Sequence, residues 1–333
     1  MKILDWFLVG LFRLLIKNNR VGKIHGTRVD GSVQPMIIGG DWRSLEIDDD
    51  FISLDLSGLD KAVKLESVIY SGSYLDNITL PNYSDCPNLC ILKLRLQSQC
   101  DLSLLSQWRD NDFILGIDIA EEPELSSLES TDLSFLELRL MNYISNPLKS
   151  LGSRFIIRAL NIVVTESGPL HLENLPMSLN YLSISGPVSD VDLALLEDLT
   201  SLTSLSFNGL RMPDHAIADF EDTNWYFKNK AYAKQLRLPT VVAQRLRHFS
   251  LKNCVYLDFF AYPFAGANVL ETIKFTNSDW ASMHLDSLCD IPSLKLVELD
   301  ANKCVYIDHM KEEQDIISPG VRDIFVRSSF ESY

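Results

Sequence analysis

The feature that most constrains this chain is a short apolar pattern that returns at nearly constant intervals. Leu202-Thr203-Ser204-Leu205-Ser206-Phe207 has apolar residues at its first, fourth and sixth positions. The same spacing occurs at Leu179 to Ile184, 23 residues earlier, and at Leu246 to Leu251, 44 residues later. The alternation within each copy predicts a strand with one buried face, because successive side chains in a strand point to opposite faces. A repeat of this length predicts a stack of units.

The fourth position of the pattern marks each unit along the chain. The steps between markers run from 21 to 27 residues, apart from one step of 44. The markers are Leu45, Val68, Leu92, Leu115, Leu136, Leu160, Leu182, Leu205, Phe249, Ile273, Val297 and Ile324. The double step predicts a degenerate unit near Trp225-Tyr226-Phe227, which would bring the number of units to about thirteen.

This pattern resembles the leucine-rich repeat family, whose units of about 20 to 29 residues supply one short strand and a helix or 3-10 turn. The resemblance covers roughly residues 42 to 328. It implies an α/β repeat fold, a leucine-rich repeat solenoid of horseshoe shape with parallel strands on the concave face. We accordingly divide the chain into an N-terminal helix and cap (1–41), a solenoid (42–328) and a C-terminal tail (329–333).

The chain departs from the family three positions after the second strand leucine, where the family has Asn or Cys. Only Cys254 and Asn302 fit, and residues such as Ser73, Thr165 and Ser278 stand there instead. In the family this side chain satisfies buried backbone groups, which are costly to leave without a partner. We therefore expect backbone bonds or water to replace it in an irregular, divergent solenoid.

The N-terminal residues 3–16 are nearly all apolar, but Asp5 and Arg13 interrupt them. The run is shorter than the roughly 20 residues that span a bilayer, and no cleavage pattern of a secretory signal follows it. We predict a helix that caps the first repeat, because a solenoid must close its hydrophobic end. Insertion into a membrane surface stays open as the alternative.

The segment between this helix and the second repeat has a different character. Residues 17–44 contain five glycines and a proline, which is typical of turns and short irregular strands. Phe51 to Leu56 then alternates apolar and polar residues out of phase with the repeat. We expect this extra strand to pair at the edge of the solenoid and to protect its backbone groups.

Charge bears on the choice of partner. The formal net charge of -15 and the sequence pI near 4.8 argue against nucleic acid and favour a protein partner with a basic surface. Nine acidic residues and no Lys or Arg lie between Asp110 and Glu137, and seven basic residues with no Asp or Glu lie between Thr223 and Leu257. Each zone is either a solvated face or an interface, and both interpretations stay open.

The sequence contains few residues in patterns typical of catalysis or metal binding. Six scattered cysteines without a Cys-x-x-Cys pair indicate reduced core thiols, and we predict a cytoplasmic protein. The sequence has no glycine-rich phosphate loop, no Gly-x-Ser-x-Gly elbow and no His-Glu-x-x-His zinc motif. We therefore predict a protein that is not an enzyme and that has no catalytic residue, cofactor or metal site.

The family resemblance implies where a partner would bind. In leucine-rich repeat proteins the residues between the strand leucines point away from the core and line the concave face that commonly binds proteins. The candidate contacts chosen from these positions are Asp118, Glu137, Arg139, Tyr181, His248, Lys252 and Lys274. A surface of this kind predicts a polar, charge-guided interface.

Two functions from different classes follow from these observations. The favoured one is a non-enzymatic scaffold that recognises a macromolecular partner through its concave face or an edge, for instance an immunity protein that neutralises a basic toxin. The alternative is a peripheral membrane-associated adaptor anchored by residues 3–16. The identity of the partner and the oligomeric state stay open.

Overall fold

A computed structural model describes residues 21–97, 100–107, 113–128, 131–151, 154–210, 234–235, 238–259, 264, 266–284, 291–308 and 327–330. The chain divides into two compact units. Unit 1 comprises Met1–Arg139 and Ser150–Ile156, and unit 2 comprises Leu140–Lys149 and Ile157–Tyr333.

Short strands dominate both units. They are β1 (Val21–Thr27), β2 (Val33–Gly39), β3 (Ser44–Ile47), β4 (Ser53–Asp55), β5 (Ser67–Tyr70), β6 (Asn77–Thr79), β7 (Ile91–Leu96), β8 (Ile114–Ile119), β9 (Asp132–Leu140), β10 (Ile156–Val164), β11 (Gly168–Leu170), β12 (Tyr181–Ser185), β13 (Val188–Val191), β14 (Ser204–Asn208), β15 (Lys234–Gln235), β16 (His248–Lys252), β17 (Val255–Phe259), β18 (Thr272–Thr276), β19 (Asp279–His284), β20 (Leu296–Asp308) and β21 (Arg327–Phe330). Connections between them include 3-10 helices at Ser57–Lys61, Tyr83–Asp85, Ser103–Gln107, Ser126–Leu128 and Leu193–Leu196, and the α-helix α1 (Thr240–Ala243).

In unit 1, the strands β3, β5, β7 and β8 lie side by side and run parallel. Their registers pair Leu45 with Val68, Val68 with Leu92, and Leu92 with Leu115. These four residues are predicted markers, and all are buried. Apolar residues at alternate positions therefore form one continuous core row, which confirms the repeat register in this part of the chain.

A second sheet in unit 1 has the strand order β2-β1-β4-β6. Strands β1 and β2 form an antiparallel hairpin, and β4 pairs antiparallel with β1 and parallel with β6. Phe51 lies against Gly26, where a Cβ atom would come within 2.5 Å of the phenyl ring. The segment that suggested irregular strands is thus a regular hairpin. The extra strand β4 does pair, but with β1 and β6 inside this second sheet, so strands cover both of its edges.

The marker strands of unit 2 are also parallel, in the order β10-β12-β14-β16-β18-β20. Their registers join the markers Leu160, Leu182, Leu205, Phe249, Ile273 and Val297 in one row. Leu205 pairs directly with Phe249, although 44 residues separate them. The prediction of a degenerate unit between them is therefore wrong for this sheet. The residues proposed for it, near Trp225, lie outside the described residues.

Unit 2 contains strands that the sequence pattern did not predict. Strands β17 and β19 follow β16 and β18 after a short corner and form a second parallel row with β15 and β20. Strand β20 pairs with β18 through Leu296 to Asp300 and with β19 through Lys303 to Asp308. A separate parallel pair, β11 and β13, follows β10 and β12. Each of these repeats therefore supplies two strands.

The last predicted register is also corrected. Glu298 on β20 pairs with Arg327 on β21, a separation of 29 residues. The predicted step from Val297 to Ile324 was 27 residues, so the true register is shifted by two. Ile324 itself lies outside the described residues.

Aromatic rings fill the core of unit 2 where the 44-residue step occurs. The ring of Phe249 meets those of Phe207 and Phe275 edge to face, with centroids 6.5 Å and 6.3 Å away. Phe264 approaches the same ring at 5.1 Å. Such pairs add about 0.5 to 1.5 kcal/mol each beyond the burial of their area. These ring contacts therefore agree with β14, β16 and β18 being adjacent strands.

Side chains, rather than water or backbone alone, satisfy several turns where the family has Asn or Cys. The Ser73 hydroxyl donates to the carbonyl of Phe51 at 3.0 Å, and the Thr165 hydroxyl donates to that of Leu140 at 2.8 Å. Ser278 accepts from the amide of Cys254 at 3.1 Å. The expectation of backbone bonds or water is therefore incomplete: hydroxyls reach these groups, and at Leu140 the carbonyl also accepts from the backbone amide of Thr165 at 3.1 Å.

Several predictions lie outside what the structure describes. The capping helix at residues 3–16 is among them, as are residues 331–333 of the predicted C-terminal tail, whose first two residues belong to β21. The horseshoe shape and the domain limits at residues 41 and 328 stay predictions. Within the described ranges, no helix is long and apolar enough to cross a membrane.

Candidate functional site

The outward positions of the marker strands form a polar face on each unit. On β14, for example, Leu205 and Phe207 are buried while Ser204, Ser206 and Asn208 are partly exposed. We call the outward residues of β5, β7, β8 and β9 the unit 1 strand face, and those of β10, β12, β14, β16 and β18 the unit 2 strand face. The unit 1 strand face carries three of the predicted contacts: Asp118, Glu137 and Arg139. The unit 2 strand face carries the other four: Tyr181, His248, Lys252 and Lys274. Their role in binding stays a prediction.

On the unit 1 strand face, Asp118 lies between two arginines. The register pairs it with Arg95, whose Nε donates to Asp118 Oδ2 at 3.3 Å. Arg139 Nε lies 3.8 Å from the other oxygen of Asp118, and Arg139 Nη2 lies 4.0 Å from Glu137 Oε1. The acidic zone therefore has cationic neighbours in space.

These ion pairs partly shield Asp118 and Glu137, and their contact with a basic partner stays a prediction. Their side chains are 23% and 21% exposed, against 36% for Arg95 and 46% for Arg139. The sequence interval from Asp110 to Glu137 contains no arginine, but the adjoining strands supply two. A sequence window misses this, because residues one repeat apart lie only about 4.8 Å apart in a parallel sheet.

Tyr74 lies at the edge of this cluster and was not among the predicted contacts. Burial raises the pKa of its phenol, and the charge of Asp118 raises it further while that of Arg95 opposes the shift. Arg95 Nη1 also donates to the carbonyl of Gly72 at 3.1 Å, which ties the cluster to the preceding turn. The phenol therefore stays protonated near neutral pH and can donate or accept a hydrogen bond.

On the unit 2 strand face, polar residues of β12, β14, β16 and β18 form three rows across the strands, and Ala159, Asn161 and Val163 of β10 continue them. The rows are Tyr181, Ser204, His248 and Thr272; Ser183, Ser206, Ser250 and Lys274; and Ser185, Asn208, Lys252 and Thr276. The middle row is made of hydroxyls until Lys274, whose Nζ lies 2.9 Å from Glu298 Oε2. Ser183 is buried, whereas Ser206 and Ser250 are partly exposed. Their small hydroxyls can bond both donors and acceptors of another molecule, so this surface suits recognition.

An amide chain borders the third row. Asn277 Nδ2 donates to Asn253 Oδ1 at 2.7 Å, and Asn253 Nδ2 donates to Asn208 Oδ1 at 2.7 Å. Asn253 and Asn277 occupy the corners after β16 and β18, in the left-handed conformation. The signal for this feature was an Asn one residue beyond each strand, 24 residues apart, which the sequence reasoning overlooked.

The basic zone is in part structural. Arg245 donates to the carbonyls of Leu199 at 2.7 Å and Glu197 at 3.0 Å, and so closes the turn before β14. Arg247 lies 3.4 Å from Glu271, which also pairs with Lys295 at 3.0 Å. The hydrogen bond and charge of Lys295 lower the pKa of Glu271. Of the zone's described cations, Lys252 on β16 is the exposed one on the strand face. Its first members, Lys228 and Lys230, lie outside the described residues.

Cys86, Cys90, Cys100 and Cys254 are free thiols. Cys86, Cys100 and Cys254 are buried, and burial raises their pKa to about 12, about 11 and about 11. Their thiols act as weak donors to carbonyls, as Cys100 Sγ does to Leu75 O at 3.1 Å. Such thiols are poor nucleophiles, because the thiolate is the reactive form.

The described residues include no group of three or more His, Cys, Asp or Glu side chains that could hold a metal ion.

Comparison with known proteins bears on the fold alone. No family model matches the sequence, and no curated protein does. Among solved structures, a chain of the mouse RP105/MD-1 complex is 12% identical over 86% of this chain, with a TM-score of 0.50. A chain of the TLR13–ssRNA13 complex is 11% identical over 87%, with a TM-score of 0.42. The functional domain of InlJ from Listeria monocytogenes is 14% identical over 87%, with a TM-score of 0.28. This chain spans 46%, 55% and 70% of those chains, respectively.

Proposed function

Since the chain has the leucine-rich repeat fold in a divergent form, we propose that it is a non-enzymatic scaffold that binds a protein partner through its strand faces. The observation that carries this proposal is the unit 2 strand face, where three polar rows lie in register across neighbouring parallel strands. A rigid sheet fixes the spacing of these groups before binding, which lowers the entropy cost of association.

The chemistry of the face supports recognition of a polar surface. Ser206, Ser250 and Asn208 offer donors and acceptors, while Tyr181 and His248 offer larger contact areas on one side. Tyrosine is frequent among the residues that dominate binding energy, so Tyr181 is the contact expected to contribute most in the first row.

The narrower functions receive no support from the described residues. A neutralising immunity-type role would need an identified toxin, and the membrane-adaptor alternative depends on residues 3–16, which lie outside the described ranges. The predicted cytoplasmic location also stays a prediction.

The proposal is tested by a bulky substitution on the face and a matched one away from it. Ser206→Arg places a long cation in the middle row, and Thr200→Arg makes the same chemical change at an exposed turn of the same unit. Affinity purification from the native source, read by mass spectrometry, should recover one partner with the wild type and with Thr200→Arg. Ser206→Arg should lose it while unfolding at the same urea concentration.

If Ser206→Arg keeps the partner while Thr200→Arg loses it, the partner binds near the turn at Thr200 and not on the strand face. Recovery of no protein by the wild type under the same conditions would contradict the scaffold role itself.

A further inference from the structure

The unit 1 strand face presents cations more openly than carboxylates, although the chain as a whole is acidic. Arg139 and Arg95 are 46% and 36% exposed, whereas Glu137 and Asp118 are roughly half as exposed as Arg139. Lys93, on the same face of β7, is exposed as well. Three cations therefore stand against two partly shielded carboxylates at this place.

The guanidinium of Arg139 retains donors for another molecule. Its contacts with Asp118 and Glu137, at 3.8 Å and 4.0 Å, are longer than hydrogen bonds. A guanidinium carries five N–H groups in a planar fork that matches a carboxylate in a bidentate way. Asp118 holds this fork beside Arg95 and offsets the repulsion between the two cations.

Gly116 makes room for the side chain of Lys93. It pairs with Lys93 across β7 and β8, and the Lys93 stem lies over it, with Cγ 3.0 Å from where a Cβ atom would stand. The lack of a side chain at this position lets the Lys93 stem lie flat on the sheet. Lys93 and Arg95 are two residues apart on β7 and face the same side.

We propose that Lys93, Arg95 and Arg139 form an anion-binding site that takes the carboxylates of an Asp- or Glu-rich segment of the partner protein. This inference rests on the proposed scaffold function and assigns the sign of the charge that unit 1 recognises. It reverses the partner charge that the acidic sequence zone suggested. Bonds between ionised partners are about twice as strong as neutral ones, so the site discriminates carboxylates from amides.

The test uses a fluorescein-labelled peptide of alternating Glu and Gly, with binding followed by fluorescence anisotropy at about 0.1 M salt, where the Debye length is about 10 Å. The proteins compared are the wild type, Arg139→Gln and the control Arg43→Gln. Arg43 belongs to the same unit, is exposed and pairs with Glu66 at 2.9 Å. Both variants lose one positive charge, so the net charge of the two proteins is matched.

The wild type should bind the acidic peptide, and Arg139→Gln should weaken binding about tenfold, as expected for loss of one hydrogen-bonded charge pair. Arg43→Gln should change affinity less than about twofold, since an isolated surface charge contributes little. Equal losses in the two variants, or no binding by the wild type, would overturn the proposal.

A single-stranded RNA oligonucleotide of equal length serves as the second probe. If the RNA binds more tightly than the peptide and the difference depends on Arg139, the site takes phosphates and the assignment to an acidic protein segment is wrong. The purification with Ser206→Arg tests the unit 2 strand face separately. If Ser206→Arg loses the partner but the wild type does not bind the acidic peptide, only this inference is overturned and the proposed function stands.

Discussion

Asparagine occupies two corners of unit 2 where the preceding repeats have glycine. Gly186 and Gly209 follow β12 and β14 with φ of 109° and 94°, and Asn253 and Asn277 follow β16 and β18 with φ of 52° and 47°. The left-handed region costs most side chains about 1 to 2 kcal/mol, but asparagine tolerates it. At these corners its amide also bonds to the asparagine of the adjacent repeat. The amide chain therefore offsets the cost of replacing glycine.

Substitutions at Asn253 separate the two effects. Asn253→Gly keeps the backbone conformation and loses the amide bonds, so the free energy of unfolding should fall by about 1 kcal/mol. Asn253→Ala loses the bonds and also strains the corner, so the loss should be about 2 to 3 kcal/mol. Urea denaturation measures both, with the exposed Asn268→Ala as a control expected to change stability by less than about 0.5 kcal/mol. An alanine variant as stable as the glycine variant would contradict the role of the conformation.

At the scale of strands, the apolar alternation was enough to predict the register of most marker rows, but not the direct pairing of β14 with β16 or the register of β20 with β21. Leu182 pairs with Leu205 as the repeat required, because a shift of one residue would place every apolar side chain in solvent. The strands β17 and β19 were not predictable in this way. They begin just after the corners at Asn253 and Asn277, where the chain turns and the alternation changes phase.

Two neighbouring residues on β14 test this division between buried and outward positions. Leu205→Ala should lower the free energy of unfolding by about 2 to 5 kcal/mol, because it leaves a cavity in the core row. Ser206→Ala, one residue along the same strand, should change it by less than about 0.5 kcal/mol. Urea titrations of both variants decide the matter. Similar losses would mean that the strand does not present the faces described.

At the scale of the whole chain, net charge did not determine the sign of each surface. The sequence placed Asp118, Glu137 and Arg139 on outward positions through the alternation alone. Net charge does not show that Arg95 meets Asp118, although the predicted register of Leu92 with Leu115 also places these two residues opposite each other, 23 positions apart. Ion pairs between strands depend on register and side-chain direction, which composition does not contain. The candidate surface was therefore predictable, and its electrostatics were not.

The unit 2 strand face is continuous only if β14 and β16 are neighbours despite the 44 residues between their markers. A disulfide between Ser206→Cys and Ser250→Cys measures this directly. Neighbouring strands lie about 4.8 Å apart, within disulfide range, whereas an intervening unit would separate them by about 9.6 Å. The control pair, Ser183→Cys with Ser206→Cys, joins strands β12 and β14 that are only one repeat apart.

After mild oxidation and proteolysis, mass spectrometry of the double variant should show the peptide that contains position 206 linked to the one that contains position 250, as efficiently as the control pair links. If the control pair forms its disulfide while positions 206 and 250 stay unlinked, β14 and β16 are not direct neighbours. The unit 2 strand face would then not be the continuous surface proposed to bind the partner.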